Sequence, residues 1–171
     1  MARPRHRSGN LPAEATTFVG RRRELGEIKK KLTSARLVSL VGAGGVGKTR
    51  LALRVGTELA RSFADGAWLV ELGEVSDPAV VSDAVLAALD LRDQAGAKPM
   101  EILMSYLRER RLLLVIDNCE HLLEAAAQLV SDVLRAAPDV QVITTSREPL
   151  QVAGEHVVPV PPLDLPPGDG G

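Results

Sequence analysis

The chain has 171 residues, 45% of them hydrophobic and 25% charged, which suits one domain with a buried core. Its 21 basic and 22 acidic residues leave a net charge of -1, and aromatics make up 2%, which excludes the basic excess and stacking platforms of direct nucleic-acid binders. One cysteine, Cys119, excludes a disulfide framework; with no apolar core behind the basic Met1–Arg7 start and no apolar run of membrane length, a cytoplasmic protein is expected, without membrane contact.

Residues 1–17 carry Pro4, Gly9 and Pro12 and no apolar period, and read as a mobile tail. Residues 22–34 place Leu25, Ile28 and Leu32 on one helical face. RLVSLV (36–41) is a buried strand, followed by a glycine-rich turn and a helix from Lys48 to about Ser62. Asp65-Gly66 marks a turn before the strand at 67–72, whose Trp68 belongs in the core. Asp77-Pro78 opens a helix to about Leu89, aspartate serving as cap and proline as first residue. Pro99 opens another, to about Arg110. RLLLVID (111–117) holds five consecutive apolar residues, as a strand buried on both faces does. A helix over about Glu120 to Ala136 and strands at 140–145 and 156–160 follow, and a Pro/Gly linker occupies 164–171. Strands alternating with helices predict an α/β fold with a parallel sheet.

Gly42-Ala43-Gly44-Gly45-Val46-Gly47-Lys48-Thr49 fits the pattern G-x-x-x-x-G-K-[ST] between a strand and a helix. Glycines admit backbone torsions closed to other residues and let N–H groups approach phosphate oxygens. The helix start adds unpaired N–H donors and the positive end of its dipole. Lys48 is positioned for the β- and γ-phosphates, and Thr49 offers a hydroxyl to Mg²⁺. The pattern points to a purine nucleoside triphosphate with Mg²⁺.

Asp117 ends an apolar strand, so its carboxylate sits at the sheet's C-terminal edge, where ligands bind in open α/β folds. With a phosphate loop upstream, it is the second candidate Mg²⁺ residue. Its neighbour Asn118 cannot accept a proton, so hydrolysis is expected to be slow. Glu120 is the nearest candidate base; the same residue also suits a helix N-terminus. Arg147, after Thr144-Thr145-Ser146, either reaches a γ-phosphate or is a surface arginine. Cys119, His121 and His156 have no zinc spacing. Cys119 reads as a small residue beside the core, the alternative being a thiol with lowered pKa at a helix start. Lys29-Lys30-Lys31 reads as a solvated face.

Taken together, Phe18-Val19-Gly20-Arg21, VGAGGVGKTRLAL, WLVEL, LLLVIDNCEHLL, TTSREPL and VAGEHVVPVPPL resemble the signal-transduction ATPases with numerous domains (STAND). The likeness is to the NB-ARC-like domain of bacterial LuxR- and SARP-type transcriptional regulators, and spans most of the chain. It implies a three-layer P-loop NTPase over residues 18–163, with five parallel strands in the order 5-1-4-3-2. It also implies adenine rather than guanine, hence ATP or ADP. The implied nucleotide contacts are Val19, Gly20, Arg21, Gly42, Ala43, Gly44, Gly45, Val46, Gly47, Lys48, Thr49 and Arg50, with Arg21 near adenine and ribose. Lys48, Asp117, Glu120 and Arg147 are the implied catalytic group, and Thr49 and Asp117 the metal ligands. Arg22 departs from the family's usual glutamate. The resemblance further implies an ATP/ADP switch with slow hydrolysis and nucleotide-dependent self-association. Helical, winged-helix, repeat and DNA-binding domains expected after residue 171 are absent from the sequence. Alternatives are a steadily turning-over ATPase or kinase, and a non-functional remnant.

Overall fold

The computed structural model describes residues 9–13, 21–92 and 94–162. Five strands alternate with five helices: α1 (Arg22–Leu32), β1 (Leu37–Val41), α2 (Lys48–Leu59), β2 (Ala67–Glu71), α3 (Val81–Ala88), α4 (Pro99–Leu107), β3 (Leu113–Asp117), α5 (Leu123–Ala136), β4 (Gln141–Ser146) and β5 (Glu155–Pro159). All pair in parallel, in the order β2-β3-β4-β1-β5. This is the expected order 5-1-4-3-2 read from the other edge.

A parallel sheet needs helices on both faces, and the alternation of side chains along each strand supplies two cores. Val38, Leu40, Leu113, Val115 and Ile143 face α1 and α2, meeting Ile28, Leu51 and Val55. Leu37, Leu114, Ile116 and Val142 face the opposite way, with α3, α4 and α5, meeting Val85, Leu103, Leu107, Val130 and Val133. Trp68 lies in this second core, and its Nε1 donates to Asp65 O at 2.7 Å. Arg36 ties the layers at the opposite end from the phosphate loop. Its guanidinium donates to Leu134 O at 2.7 Å, to Ala137 O and to Val140 O, capping the carbonyl end of α5 just before β4 begins.

Most boundaries shift by one to three residues from the sequence expectation, the Pro99 helix ending at Leu107 rather than about Arg110, and three of the differences have a local cause or geometry of note. The last turn of the 48–62 helix tightens to 3₁₀ at Ala60–Ser62, and the Asp77-Pro78 helix opens with a 3₁₀ turn before α3. There Asp77 caps as expected, its carboxylate accepting from Ala79 N at 2.9 Å. The helix expected from about Glu120 starts three residues later, at Leu123. Asn118 has φ 61° and Cys119 N donates to Thr145 O at 3.0 Å. The chain is therefore drawn sideways onto β4 and makes one separate turn, Leu122 N to Cys119 O, before α5 begins.

Of residues 9–13, placed in the tail by composition, Gly9 and Asn10 lie against the outer edge of β2 and Leu11 packs over Gly56 of α2. Asn10 N donates to Ala67 O at 3.3 Å, and the Asn10 side chain accepts from Leu69 N at 2.5 Å. Its Nδ2 donates to Leu69 O at 3.0 Å and Ala88 O at 3.2 Å. The side chain thus satisfies edge groups that a strand partner would otherwise take. The rest of the tail and the 164–171 linker lie outside the described residues. Asn10→Ala should lower stability by about 2 kcal/mol, the usual cost of leaving part-buried amide groups without partners. Urea unfolding measures this; an unchanged midpoint would show the contact to be energetically idle.

Candidate functional site

The carboxyl ends of β1, β3 and β4 open on one edge of the sheet, and the order of strands sets what meets there. β1 runs into the 42–47 loop, where Gly42 N donates to Ser146 O at 3.2 Å. Gly45 and Gly47 have φ 81° and 91°, torsions that side chains with a Cβ resist, and Gly47 is the residue from which α2 springs. A Cβ on Gly42 would stand 2.5 Å from Val160 O, so the β5 exit packs directly against the loop.

Lys48 is 6% exposed, and its ammonium donates to Gly42 O at 2.5 Å and Ala43 O at 3.1 Å, at the mouth of the loop. Thr49, one residue into α2, donates to both oxygens of Asp117, at 2.8 and 3.0 Å. Asp117 is 3% exposed at the end of β3. A buried carboxylate must find donors, and a second comes from β4: Thr145 Oγ1 reaches Asp117 Oδ1 at 2.5 Å while accepting from Asn118 N at 2.9 Å. Thr145 escaped the sequence reading; a hydroxyl at the end of a strand flanked by the loop and the carboxylate strand was the signal available. One carboxylate and one hydroxyl form a small set of hard oxygen donors. That suits Mg²⁺, which keeps waters and phosphate oxygens rather than a full protein cage.

Arg147 is exposed and begins the segment after β4. Its Nη2 lies 2.8 Å from where a Cβ on Gly44 would stand, so the guanidinium crosses the crown of the loop. Arg50 is exposed on the first turn of α2. Arg21, by contrast, is 6% exposed behind the loop. Its guanidinium donates to Val46 O at 2.5 Å and Pro161 O at 2.9 Å, with Glu24 Oε1 at 3.5 Å. These contacts clamp the loop to the chain segment leaving β5. Val19 and Gly20 lie outside the described residues. Asn118 turns its amide over Gly73, 3.1 Å from that residue's Cβ direction. Glu120 Oε2 is buried and has no hydrogen-bond partner among the described residues. His121 Nε2 instead meets Val75 O at 2.8 Å. Among the described residues no group of three His, Cys, Asp or Glu forms a metal cluster.

Cys119 is fully buried, its sulfur 3.6 Å from Ile116 O. Burial pushes its thiol from 9.0 up to about 12; the carboxylates of Glu120 and Asp117 push the same way, and a backbone hydrogen bond with Thr145 opposes them. The folded chain therefore keeps this proton where the unfolded chain releases it. Stability from this group is complete below about pH 9 and declines as pH rises toward 12. Two outcomes are expected: a thiol reagent at pH 8 leaves Cys119 untouched until guanidinium is added, and the loss of stability above pH 9 is smaller in Cys119→Ala. Rapid labelling of the folded protein would contradict the burial.

The NB-ARC domain model matches residues 21–162. An uncharacterized protein of Mycobacterium tuberculosis is 43% identical over 150 residues, covering 88% of this chain and 38% of the relative. The regulatory protein AfsR of Streptomyces griseus is 32% identical over 162 residues, covering 86% of this chain and 16% of its own length. In fold, the chain is similar to a STAND protein with a tetratricopeptide repeat sensor from Pyrococcus horikoshii, at TM-score 0.56 and 17% identity over 88% of this chain and 24% of that one. The chain thus spans well under half the length of these relatives. Among the described residues no helix is long and apolar enough to cross a membrane. A strand-order match, a phosphate loop facing a strand-end aspartate, and a family model running from Arg21 through Pro162 agree: this chain belongs to the NB-ARC family of P-loop nucleotide-binding domains.

Proposed function

We propose that the domain is an ATP/ADP switch within a STAND-type regulator and hydrolyses ATP slowly. The observation that carries this reading is the meeting of Lys48, Thr49 and Asp117 at one sheet edge, across the loop from Arg147. Backbone N–H groups of the loop and the first turn of α2 wrap the phosphate chain. Lys48 exchanges its carbonyl acceptors for β- and γ-phosphate oxygens, and Arg50 lies beside the phosphates on the same turn. Thr49 and Asp117 hold Mg²⁺, which when bound neutralises phosphate charge and orients the phosphate chain. Arg147 crosses the loop crown to the γ-phosphate, the group that separates ATP from ADP, so differential binding of that group can shift populations. Arg21 acts from behind, holding the Val46 carbonyl and so the shape of the loop. Val19 and Gly20 complete the adenine side, as the family likeness implies.

Asn118 offers no base beside Asp117. Glu120, with its buried and unpartnered oxygen, is the candidate for orienting or deprotonating water. Transcription control is the output of this reading, exerted through segments beyond this domain, with nucleotide-dependent self-association as its means; the name of a relative 42% identical over 134 residues, a putative HTH-type transcriptional regulator of Mycobacterium tuberculosis, supports that output. The single cysteine, kept as a buried thiol, suits the reducing cytoplasm.

Saturating ATP with Mg²⁺ should stabilise the fold by mass action. At one hundred times the dissociation constant this amounts to about 2.7 kcal/mol, or roughly 5–10 °C in melting temperature. Lys48→Ala should lose that shift. No shift in the parent chain with either nucleotide would overturn the switch. In single-turnover hydrolysis we expect a slow rate, lowered further by Glu120→Gln; a rate like that of fast motor ATPases would favour steady turnover instead.

A further inference from the structure

The connection from β4 to β5 is unusual for parallel neighbours of one strand. β4 ends at the phosphate-loop edge, where Ser146 pairs with Val41, and β5 begins at the opposite edge, where Glu155 pairs with Leu37. The chain must return the full height of the sheet in residues 147–154, with no helix. A crossover usually takes a dozen residues or more. An irregular segment crossing a sheet face brings backbone N–H groups that need acceptors.

Ser146 Oγ accepts from Glu148 N at 3.3 Å, and the acceptors in the middle of the crossover come from one side chain. Glu155 Oε2 accepts from Leu150 N at 2.8 Å, and Oε1 accepts from Gln151 N at 2.9 Å. Gln151 has φ 62°, a left-handed torsion that glutamine adopts only under constraint. The carboxylate is anchored in turn: Ser39 Oγ donates to Oε2 at 2.5 Å, and Thr144 Oγ1 donates to Ser39 Oγ at 2.7 Å. Thr144 and Ser39 are 0% and 1% exposed. A polar rung therefore runs from β4 through β1 to β5, ending on the middle of the crossover. Leu150, buried in the core beside it, is the apolar half of the same anchor.

Arg147 lies three residues before Leu150. With Ser146 fixed in β4 and Leu150 fixed on Glu155, the intervening Arg147-Glu148-Pro149 has little freedom, and proline restricts it further. We propose that Glu155 is a positioning residue for Arg147. By holding Leu150 and Gln151 it sets the reach of the Arg147 guanidinium over the loop crown, and with it the preference for triphosphate over diphosphate. The proposal rests on the switch reading given above. Glu155 touches no nucleotide itself; it stands at the far edge of the sheet and works through the crossover.

The effect should be confined to the γ-phosphate. In Glu155→Gln the carbonyl oxygen can keep Leu150 N, but an NH₂ group then meets the Gln151 N–H, donor against donor. Titration of the whole chain with Mg–ADP and with a non-hydrolysable Mg–triphosphate analogue separates the possibilities. In Glu155→Gln we expect ADP affinity within about twofold of the parent, and triphosphate affinity lower by about tenfold, the size of a lost charge-assisted contact. Arg147→Ala should show the same selective loss, and the double variant should be no worse than Arg147→Ala alone. Ser39→Ala, which leaves both crossover amides on the carboxylate, should keep the parent preference.

Equal loss of both ligands, no loss of either, or additive losses in the double variant would overturn the role of Glu155. Binding of neither ligand by the parent chain would instead sink the switch itself. An unchanged preference in Arg147→Ala would remove the arm through which Glu155 acts. A second readout needs no variant: amide exchange at Leu150 and Gln151 in the parent chain should slow with the triphosphate analogue and not with ADP, because coupling between sites is reciprocal. Identical exchange with both ligands would count against the proposal even if Glu155→Gln failed to fold.

Discussion

A carboxylate that is 3% exposed sits at the end of β3, and the chain surrounds it with hydroxyl donors from two other elements. Asp117 is held by Thr49 from the first turn of α2 and by Thr145 from β4. An isolated buried charge is costly, while one that accepts several hydrogen bonds is tolerated. Satisfying it fixes three things together: the height of α2 relative to the sheet, the register of β4 against β3, and the direction in which the phosphate loop opens. The strand order makes this possible, because β4 stands between the loop strand and the aspartate strand and offers the hydroxyl that reaches across.

The same economy of contacts holds the loop from behind. Arg21 reaches Val46 O and Pro161 O, so the entrance to α1, the loop and the exit of β5 share one guanidinium. Val160 N donates to Val41 O at 2.8 Å, and Val160 O packs against Gly42. A change in loop shape is therefore felt first at residues 159–162.

On each outer strand of the sheet one polar side chain gathers backbone groups that lack a strand partner. On β2 the task falls to Asn10, and at the start of β5 to Glu155, each of which takes up backbone groups that irregular chain or a sheet edge leaves over. The sequence separations are long: Asn10 lies 59 residues from Leu69, and Ser39 lies 116 from Glu155. Such contacts exist only where the assembled sheet brings their partners together.

Local chemistry along the chain was enough to identify the strand–loop–helix at 36–62, the carboxylate ending 111–117, the cap at Asp77, the helix-opening Pro99, and the five strands. Each depends on residues within a turn or two of one another. The sheet order was legible only through resemblance, because no periodicity says which parallel strands adjoin. Tertiary structure alone decided the rest. Thr145 became a donor to Asp117 because β4 landed beside β3. Arg21 became a clamp because Pro161 came to lie behind the loop. The expected helix start at Glu120 moved to Leu123 because Cys119 was drawn to a carbonyl of β4. Glu155, in a sequence an ordinary acidic residue before a strand, acquired Ser39, 116 residues away, as a donor because β1 came to lie beside β5. Short-range torsion and burial preferences are written residue by residue, whereas hydrogen-bond partners at long separation follow from where the apolar faces allow each strand to rest.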